Sequence, residues 1–308
     1  MSRSTVTNVA ASIRQKLLNI ARSDLRPFGE LLQYYAMERF LYRLSCSRHS
    51  DRFVLKGALM LRIWNAEDYR STMDIDMIGR TSNDPTAIGL QIRDIINTNV
   101  LADGLIFLSD TIQCVNITED ADYKGVRVRF QGTLESAGIA MQIDIGFGDI
   151  VYPDPELHLM PTFLDQPAPR ILCYSKESAI AEKFEAMMRL RELNSRMKDF
   201  YDIWQLSRQF NFNGNQLSQA VKYTFENRGC IIDYDFIAST DIFAKTHQVQ
   251  WKAFVGRLQQ PYLPEQLSDI LTQVKSFLLP IAEAASNTKL YSGTWEAPGP
   301  WQADKVMA

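Results

Sequence analysis

The sequence is poor in cysteine and histidine, the side chains from which proteins usually build zinc centres and disulfides. Its 308 residues include four cysteines and three histidines. The cysteines, Cys46, Cys114, Cys173 and Cys230, lie far apart and form no C-x-x-C pair, so neither a zinc site nor a disulfide framework is expected. Scattered thiols are typical of a reducing compartment, and we therefore expect a cytoplasmic protein.

Long apolar runs are also missing. No stretch of about 18 uncharged apolar residues occurs, as a membrane-spanning helix would require. Arg14 and Lys16 interrupt the N-terminus before an apolar run reaches the length of a signal peptide. Hydrophobic residues nevertheless make up 46% of the chain, which excludes a mainly disordered protein. We expect a globular chain that does not bind membranes.

An excess of positive charge is the third feature that is lacking. The chain has 36 acidic and 33 basic residues, with a net charge of −3. Proteins that coat nucleic acid without specificity are normally basic, so this class of function is disfavoured. A local basic patch remains compatible with the overall charge.

Hydrophobic patterning predicts four regions along the chain. Residues 1–50 repeat apolar side chains at helical spacing, and residues 51–169 mix short strands with helices before a proline-rich connector. Residues 170–292 are mainly helical, and residues 293–308 form a polar tail with two tryptophans. The predicted fold class is therefore α+β, with a small mixed sheet between N-terminal helices and a mainly helical C-terminal region.

Three carboxylates stand on predicted strands. Asp74 and Asp76 share one face because side chains alternate along a strand, and Asp144 repeats the pattern on a later strand. Neighbouring carboxylates repel each other unless a cation neutralises them, and oxygen ligands suit Mg²⁺. The three acids could hold two ions about 4 Å apart, as in enzymes of phosphoryl or nucleotidyl transfer. A solvated face of an antiparallel sheet is the simpler explanation.

A glycine joins a predicted strand to a helix just upstream of these acids, in the run Lys56-Gly57-Ala58. Such a turn presents backbone N–H groups and the positive end of a helix dipole to an anion. Together with the D-x-D pair on the next strand, it predicts a phosphate-binding turn beside a metal site.

Two charged residues fall on apolar helix faces. Lys183 lies in the apolar sector of a helix capped by Ser175, and Asp199 lies on the apolar face of the next helix, with Asp202 at its border. A break near residues 194–195 would pair the helices and bring Lys183 close to Asp199. A lysine that extends its ammonium to water and a structural ion pair are the plain alternatives to a phosphate-binding role.

Five segments follow one another in the order of a known family: FVLKGALMLRIW, YRSTMDIDMIG, MQIDIGFGD, SAIAEKFEAMM and RMKDFYDIWQL. Over roughly residues 50–260 the chain resembles the AbiEii/AbiGii-type nucleotidyltransferase toxins of type IV toxin–antitoxin systems, within the DNA polymerase β-like nucleotidyltransferase superfamily. The resemblance implies a polymerase β-like sheet, nucleotide transfer from an NTP, and a cognate antitoxin. Some family members extend the 3′ end of tRNA, which implies an RNA acceptor.

The resemblance also implies roles for individual residues. Asp74 and Asp76 would bind Mg²⁺, and Asp144 would complete the acidic site or act as a base. Lys183 would hold the triphosphate, and Asp199 would position Lys183 or the base. The residues expected to bind the nucleotide are Lys56, Gly57, Ala58, Arg70, Ser71, Thr72, Lys183 and Asp202. Ala58 replaces the second Gly or the Ser of the family motif, and Ser71 or Thr72 could supply the missing hydroxyl.

Two other functions remain open: a nucleotidyltransferase that modifies a small molecule such as an antibiotic, and a degenerate nucleotide-binding module. Basic residues near the motifs favour an RNA acceptor, and these are Arg62, Arg70, Arg127, Arg129, Arg189, Arg191, Arg196 and Lys198. Solvated surface charge explains most of them equally well. The three strand acids argue against a degenerate module.

Overall fold

The computed structural model describes residues 8–67, 70–119, 123–233, 240–258, 260, 262–287 and 289–303. Three expectations fall partly outside these residues: the first seven positions of the N-terminal region, Tyr69 of the D-x-D motif, and positions 304–308 of the tail. The chain divides into two compact units. The first comprises Met1–Asn65, Ser71–Gly148 and Glu156–Cys173, and the second comprises Ala66–Arg70, Asp149–Pro155 and Tyr174–Ala308.

The first unit begins with two helices, α1 (Val9–Ser23) and α2 (Phe28–Cys46), as the helical spacing predicted. Helix α2 is buried along most of its length, including Glu38, Arg39 and Arg43. Arg43 on this helix binds both carboxylate oxygens of Asp103 at 2.5 and 3.0 Å. Because a buried charge requires a partner, this pairing allows α2 to lie in the core.

A seven-stranded mixed sheet forms the centre of the first unit. Its strands are β1 (Phe53–Lys56), β2 (Ile75–Gly79), β3 (Leu105–Glu119), β4 (Tyr123–Leu134), β5 (Ala137–Phe147), β6 (Glu156–Leu159) and β7 (Arg170–Cys173). Across the sheet they run β3-β4-β5-β2-β1-β7-β6. Strand β2 is parallel to β5 and β1 is parallel to β7, whereas the other neighbours are antiparallel. Two helices, α3 (Leu59–Ile63) and α4 (Pro85–Ile96), follow β1 and β2, and the predicted mixed α/β fold is confirmed.

The alternation of side chains gives the sheet one packed and one polar face. Phe40 of α2, Phe107 of β3 and Phe130 of β4 meet with ring centroids 5.6 to 6.5 Å apart. Ile143 of β5 is fully buried, whereas its neighbour Gln142 is only partly covered. Helix α2 therefore covers one face, and polar residues of β4 and β5 occupy the other.

Parts of the sheet differ from the sequence-based expectation. The proline-rich segment 151–169 was expected to be an extended connector, yet it contributes β6 to the sheet. Strand β7 was not predicted, and it pairs with β1 through Leu55 and Cys173. A strand of four residues carries little periodicity, and β7, unlike β1, has no glycine after it to mark its end. Asp74 was placed on a strand but lies immediately before β2, which begins at Ile75.

The second unit is mainly helical, as predicted. Its helices are α5 (Lys176–Leu190), α6 (Met197–Gln209), α7 (Gly214–Asn227), α8 (Asp241–Leu258) and α9 (Leu267–Ser286). Ser175 caps α5, since its hydroxyl accepts a hydrogen bond from the N–H of Ser178 at 3.0 Å. Within the described part of the chain, no helix combines the length and apolar character needed to cross a membrane.

The end of the described chain is folded, which differs from the polar tail that was expected. Three short strands, β8 (Phe212–Asn213), β9 (Gly293–Trp295) and β10 (Trp301–Ala303), form a second sheet in the order β10-β9-β8. Trp295 is 3% exposed, and its indole N–H donates to the carbonyl of Ser207 at 2.6 Å. Trp301 stacks on Phe277 of α9 with centroids 5.6 Å apart. The two tryptophans thus anchor this segment in the second unit.

Candidate active site

The three predicted acids lie together in the first unit. Strand β2 runs between β1 and β5, and the register places Lys56, Asp76 and Asp144 side by side on the three strands. Asp74, two residues before Asp76, completes the group. One carboxylate oxygen from each acid lies within 4.8 Å of the other two. Because like charges at this separation repel each other, the arrangement favours a bound cation.

Asp144 already has one cationic partner and is 8% exposed. Arg127 lies opposite it on β4 and donates from Nε and Nη2 to its two oxygens at 2.8 and 2.7 Å. A carboxylate offers about four lone-pair positions, so this pairing leaves Asp144 able to bind a metal ion as well. The sequence placed Arg127 near the motifs, but it gave no signal for this partner.

Asp74 is held by hydrogen bonds that begin on helix α2. The Thr72 hydroxyl donates to Asp74 Oδ1 at 2.5 Å, and the Thr72 N–H donates to the hydroxyl of Tyr34 at 3.0 Å. Thr72 was expected to offer its hydroxyl to the nucleotide, whereas here the hydroxyl orients a carboxylate. Ser71, the other predicted hydroxyl, is exposed.

Gln33, next to Tyr34 on α2, ties the acid-bearing segments together. Its side-chain amide donates to the carbonyl of Met73 at 3.1 Å and to the carbonyl of Ala140 at 3.0 Å. The first carbonyl precedes Asp74, and the second belongs to β5, the strand of Asp144. One side chain of α2 therefore fixes the spacing between two segments that carry acids.

Gly57 follows β1 and contacts Asp76 directly. Its φ angle is +74°, in the left-handed region that favours glycine. A Cβ at this position would overlap the Asp76 carboxylate, so any side chain here would displace that acid. Ala58 is buried and is the N-cap residue of a helix of only five residues. The turn therefore contributes to the site chiefly through the close approach of the Gly57 backbone to the Asp76 carboxylate.

The remaining predicted residues form a second cluster, which lies in the second unit. Lys183 of α5 contacts Oδ1 of Asp199 at 3.3 Å and Oδ2 of Asp202 at 2.7 Å, and both acids belong to α6. Arg70 makes two hydrogen bonds to Asp202, at 2.9 and 3.0 Å. The predicted approach of Lys183 to Asp199 is confirmed, and Asp202 is the closer carboxylate.

The charges of this cluster are mutually stabilised. Burial disfavours the charged form of Lys183, but the carboxylates of Asp202 and Asp199 outweigh it and raise the pKa of the ammonium above its usual value. Burial alone would raise the pKa of Asp202, whereas Arg70 and Lys183 lower that pKa to about 2. Both Lys183 and Asp202 therefore remain charged at neutral pH.

A buried ion-pair network on α5 has no local signature in the sequence. Arg228 donates to Glu185 at 2.8 Å, to Asp149 at 2.8 Å and to Glu182 at 3.0 Å. Helical spacing had placed Glu182 and Glu185 on a polar face, yet the Glu185 side chain is fully buried. Arg228 is distant in sequence, so no local pattern could reveal the pairing.

Several arginines that were expected to form a basic surface also bind protein groups. Arg62 donates to the carbonyl of Pro161 at 3.1 Å, and Arg129 donates to the side-chain oxygen of Gln142 at 3.0 Å. The pairs of Arg189 and Arg191 are with Glu185 and Asp233. Glu185 and Asp233 thus offset the charges of Arg189 and Arg191, whereas Arg129 pairs with a neutral amide and stays exposed.

The predicted site residues divide between the two units. Those in the first unit are Lys56, Gly57, Ala58, Ser71, Thr72, Asp74, Asp76 and Asp144. Those in the second unit are Arg70, Lys183, Asp199 and Asp202.

A family model supplies the deciding comparison: the nucleotidyl transferase AbiEii toxin of type IV toxin–antitoxin systems matches residues 39–273, which is most of the chain. The chain belongs to the AbiEii family. It is therefore a nucleotidyltransferase of a toxin family, and AbiEii membership implies an NTP substrate and an antitoxin partner. The resemblance seen in the ordered motifs is confirmed.

Two solved structures are similar to this AbiEii-family chain at low sequence identity. The crystal structure of JHP933 from Helicobacter pylori is 15% identical, with a TM-score of 0.46, over 84% of this chain and 92% of that chain. A candidate nucleotidyltransferase from H. pylori is 16% identical, with a TM-score of 0.44, over 84% of this chain and 95% of that chain. No curated protein matches significantly. The AbiEii assignment rests on the family model and the motif order.

Proposed function

We propose that the chain transfers a nucleotide from an NTP to the 3′ end of an RNA, with tRNA as the expected acceptor, in a reaction that requires Mg²⁺. The convergence of Asp74, Asp76 and Asp144 beside Gly57 carries this proposal. Three carboxylates this close are unfavourable without a cation. Mg²⁺ typically combines one or two protein carboxylates with substrate phosphates.

The donor set suits a hard cation, because all three candidate ligands are carboxylates rather than imidazoles or thiolates. Asp74 and Asp76 would hold the metal, which when bound would offset charge on the attacking and leaving oxygens. Asp144 would complete the site or accept the proton of the attacking hydroxyl. Thr72 orients Asp74, and Gly57 leaves the space that Asp76 occupies.

The chemical step is a displacement at the α-phosphorus of the NTP. The oxygen of the acceptor hydroxyl bonds to that phosphorus, the bond to the bridging oxygen of the β-phosphate breaks, and pyrophosphate leaves. The hydroxyl proton passes to Asp144 or to water. Because the protein supplies mainly position and charge in such a reaction, the geometry of the acids matters more than any single nucleophile.

Lys183 is the proposed ligand of the NTP phosphates. Its ammonium is held by Asp199 and Asp202, and a lysine acts toward phosphate as a compact point charge. Asp199 and Asp202 would thus be positioning residues for Lys183. Arg70 in turn holds Asp202 through two hydrogen bonds.

A nucleotidyltransferase for a small molecule is the second candidate. The observation that favours it is the pairing of Arg62, Arg189 and Arg191 with protein groups, which reduces the basic surface available to RNA. A small acceptor would need no such surface. The two candidates share the acid cluster and differ in the acceptor alone.

One experiment separates these candidates. The protein is incubated with each labelled NTP in turn, Mg²⁺ and total cellular RNA, with Asp76→Ala as the matched inactive control. We expect a labelled band of tRNA length from the wild type, which EDTA and the substitution abolish. Label that enters only small molecules would favour the second candidate, and a folded wild type that labels nothing would contradict both.

A further inference from the structure

A depression of about 470 Å³ opens beside Asp74 in the first unit. Its walls are formed by Gly29 and Leu32 of α2, by Met73, and by Gly138 and Gln142 of β5. This volume lies within the range of about 300 to 1,000 Å³ that is usual for small-ligand pockets. A cavity of this size can accommodate one terminal group of a substrate next to the acids.

The depression exists because β5 is longer than the strand beside it. Ile75, the first residue of β2, pairs with Ile143, so the preceding residues of β5, beginning at Ala137, continue beyond the end of β2. Gln33 binds the carbonyl of Ala140 on this stretch. The offset between the two strands leaves a step at the edge of the acid cluster.

Two glycines keep this step open. A Cβ added at Gly29 or Gly138 would meet no atom within 4 Å, and neither residue has a positive φ angle. Packing and backbone conformation therefore do not require glycine at either position. Gly57 is different, because both its φ angle and the contact with Asp76 exclude other residues.

The position of the depression relative to Gly57 indicates whether it binds the acceptor or the NTP donor. Gly57 follows β1, on one side of β2, whereas the depression borders β5, on the other side. In an in-line displacement, the attacking and leaving oxygens lie on opposite sides of the reacting phosphorus. With the NTP phosphates at Gly57, the group that carries the attacking hydroxyl belongs at the depression.

The surface that continues from the depression indicates the class of acceptor. Arg127, Arg129 and Gln131 alternate along the polar face of β4, and the last two are exposed. Arg129 contacts Gln142, which lines the depression. Val115 on β3, opposite Arg127, is 50% exposed. Guanidinium, amide and apolar groups on one surface suit the phosphates and bases of an extended single strand.

We propose that the depression binds the terminal nucleoside of a single-stranded polynucleotide acceptor, and that the preceding nucleotides follow the Arg129 face of β4. The inference rests on the proposed function, and it assigns the acceptor subsite to residues of the first unit. Gly29, Met73 and Gly138 would contact the terminal nucleoside, and Arg129 a phosphate.

The test measures binding without catalysis. A fluorescent single-stranded oligoribonucleotide with a 2′,3′-dideoxy end, which cannot accept a nucleotide, is titrated with wild type, Gly29→Trp and Gly138→Trp. Both substitutions fill the depression, so we expect the Kd for the oligonucleotide to rise at least about 10-fold, the equivalent of losing one stacked base. NTP binding in Mg²⁺ should be unchanged.

Gly256→Trp is the matched control, because Gly256 is an exposed glycine of α8 with no atom within 4 Å of an added Cβ. Its Kd should equal that of the wild type. Circular dichroism verifies folding, and if a tryptophan variant fails to fold, Arg129→Glu on the exposed surface provides the same test, with a weaker Kd expected.

Three results would overturn the inference. The first is an unchanged oligonucleotide Kd in the folded variants. The second is no oligonucleotide binding by the wild type. The third is loss of NTP binding by the variants, which would assign the depression to the donor. Transfer by these variants with normal oligonucleotide binding would sink the subsite but leave the proposed function intact.

Discussion

The acid cluster of the first unit and the Lys183 cluster of the second differ in how their closely spaced charges are balanced. Asp74, Asp76 and Asp144 gather three negative charges within 4.8 Å, with Arg127 bound to one of them. In the Lys183 cluster, two cations and two carboxylates alternate, so that their formal charges cancel. The acid cluster therefore favours the binding of a cation, whereas the Lys183 cluster needs no added ion to balance its charge.

This difference has opposite consequences for substitutions. Removing a carboxylate from the acid cluster relieves repulsion between like charges. Removing Asp202 from the Lys183 cluster takes away the carboxylate that Arg70 and Lys183 share, which is strongly destabilising. Activity and stability measured on the same variants should therefore separate the two clusters.

The largest expected effect is the loss of nucleotide transfer in Asp76→Ala. Because metal ions supply several kcal/mol of transition-state stabilisation, the rate should fall by at least about 10³-fold, while the midpoint of urea unfolding stays the same or rises. Asp110→Ala, at an exposed aspartate of β3, is the control. A folded and active Asp76→Ala protein would contradict the metal site.

The second prediction concerns the Lys183 cluster, where we expect a substitution to lower the stability of the protein. Asp202→Asn should lower the free energy of unfolding by about 3–5 kcal/mol, since Arg70 and Lys183 lose their shared partner. Lys183→Met should cost less, because the Arg70–Asp202 pair remains, and should chiefly raise the KM for the NTP. Urea denaturation and steady-state kinetics measure both effects. Equal destabilisation by the two substitutions would contradict the role of Asp202 as the common partner of Arg70 and Lys183.

Gly57→Ala should reduce activity by about 100-fold, because a misplacement of roughly 1 Å in a catalytic group can cost that much. Its positive φ angle adds a stability loss of about 1–2 kcal/mol. Gly256→Ala, in helix α8, should instead stabilise the protein by up to about 1 kcal/mol. Transfer rates and thermal unfolding of the pair provide the measurement, and a fully active Gly57→Ala would disprove the contact with Asp76.

Mg²⁺ should stabilise the wild type against thermal unfolding, since an ion that binds only the folded state shifts the equilibrium. In Arg127→Ala, Asp144 loses its cationic partner, so the protein should be about 1–3 kcal/mol less stable in EDTA and gain more from Mg²⁺. Calorimetry with EDTA or Mg²⁺ tests this. If Mg²⁺ raised the thermal stability of Asp76→Ala as much as that of the wild type, the ion would have to bind elsewhere.

The smallest expected effect is a pH dependence from Asp202. Its pKa of about 2 in the folded protein is lower than the ordinary value for an aspartate, so its contribution to stability is complete above the ordinary pKa and is lost as the pH falls toward 2. The stability difference between wild type and Asp202→Asn should narrow by about 1 kcal/mol from about pH 5 to about pH 3. A constant difference over this range would contradict the lowered pKa.

Local patterns predicted much of this molecule. Alternation identified the strands of Asp76 and Asp144, and helical spacing placed Lys183 where an unusual partner was required. The roles of these residues in transfer remain predictions. The carboxylate partners of Arg127 and Arg228 were missed because no local pattern links these residues. Strand β7 was missed because it is short and has no glycine after it to mark its end.

Helix α2 supports the acid cluster with residues that lie outside the family pattern. Gln33 and Tyr34 support the acids through the carbonyl of Met73 and the N–H of Thr72. The AbiEii family match begins at residue 39, after both of these side chains. Support for the acid cluster thus extends beyond the segment that carries the family pattern.

The parallel pairing of β2 with β5 determines when the acid cluster can form. Parallel neighbours need a long crossover, and here β3 and β4 separate Asp76 from Asp144 along the chain. Contacts between distant residues form slowly, because loop closure costs entropy before it is rewarded. A nascent chain that ends before β5 contains only two of the three acids, so the acid cluster cannot assemble until Asp144, near the middle of the 308-residue chain, has been synthesised.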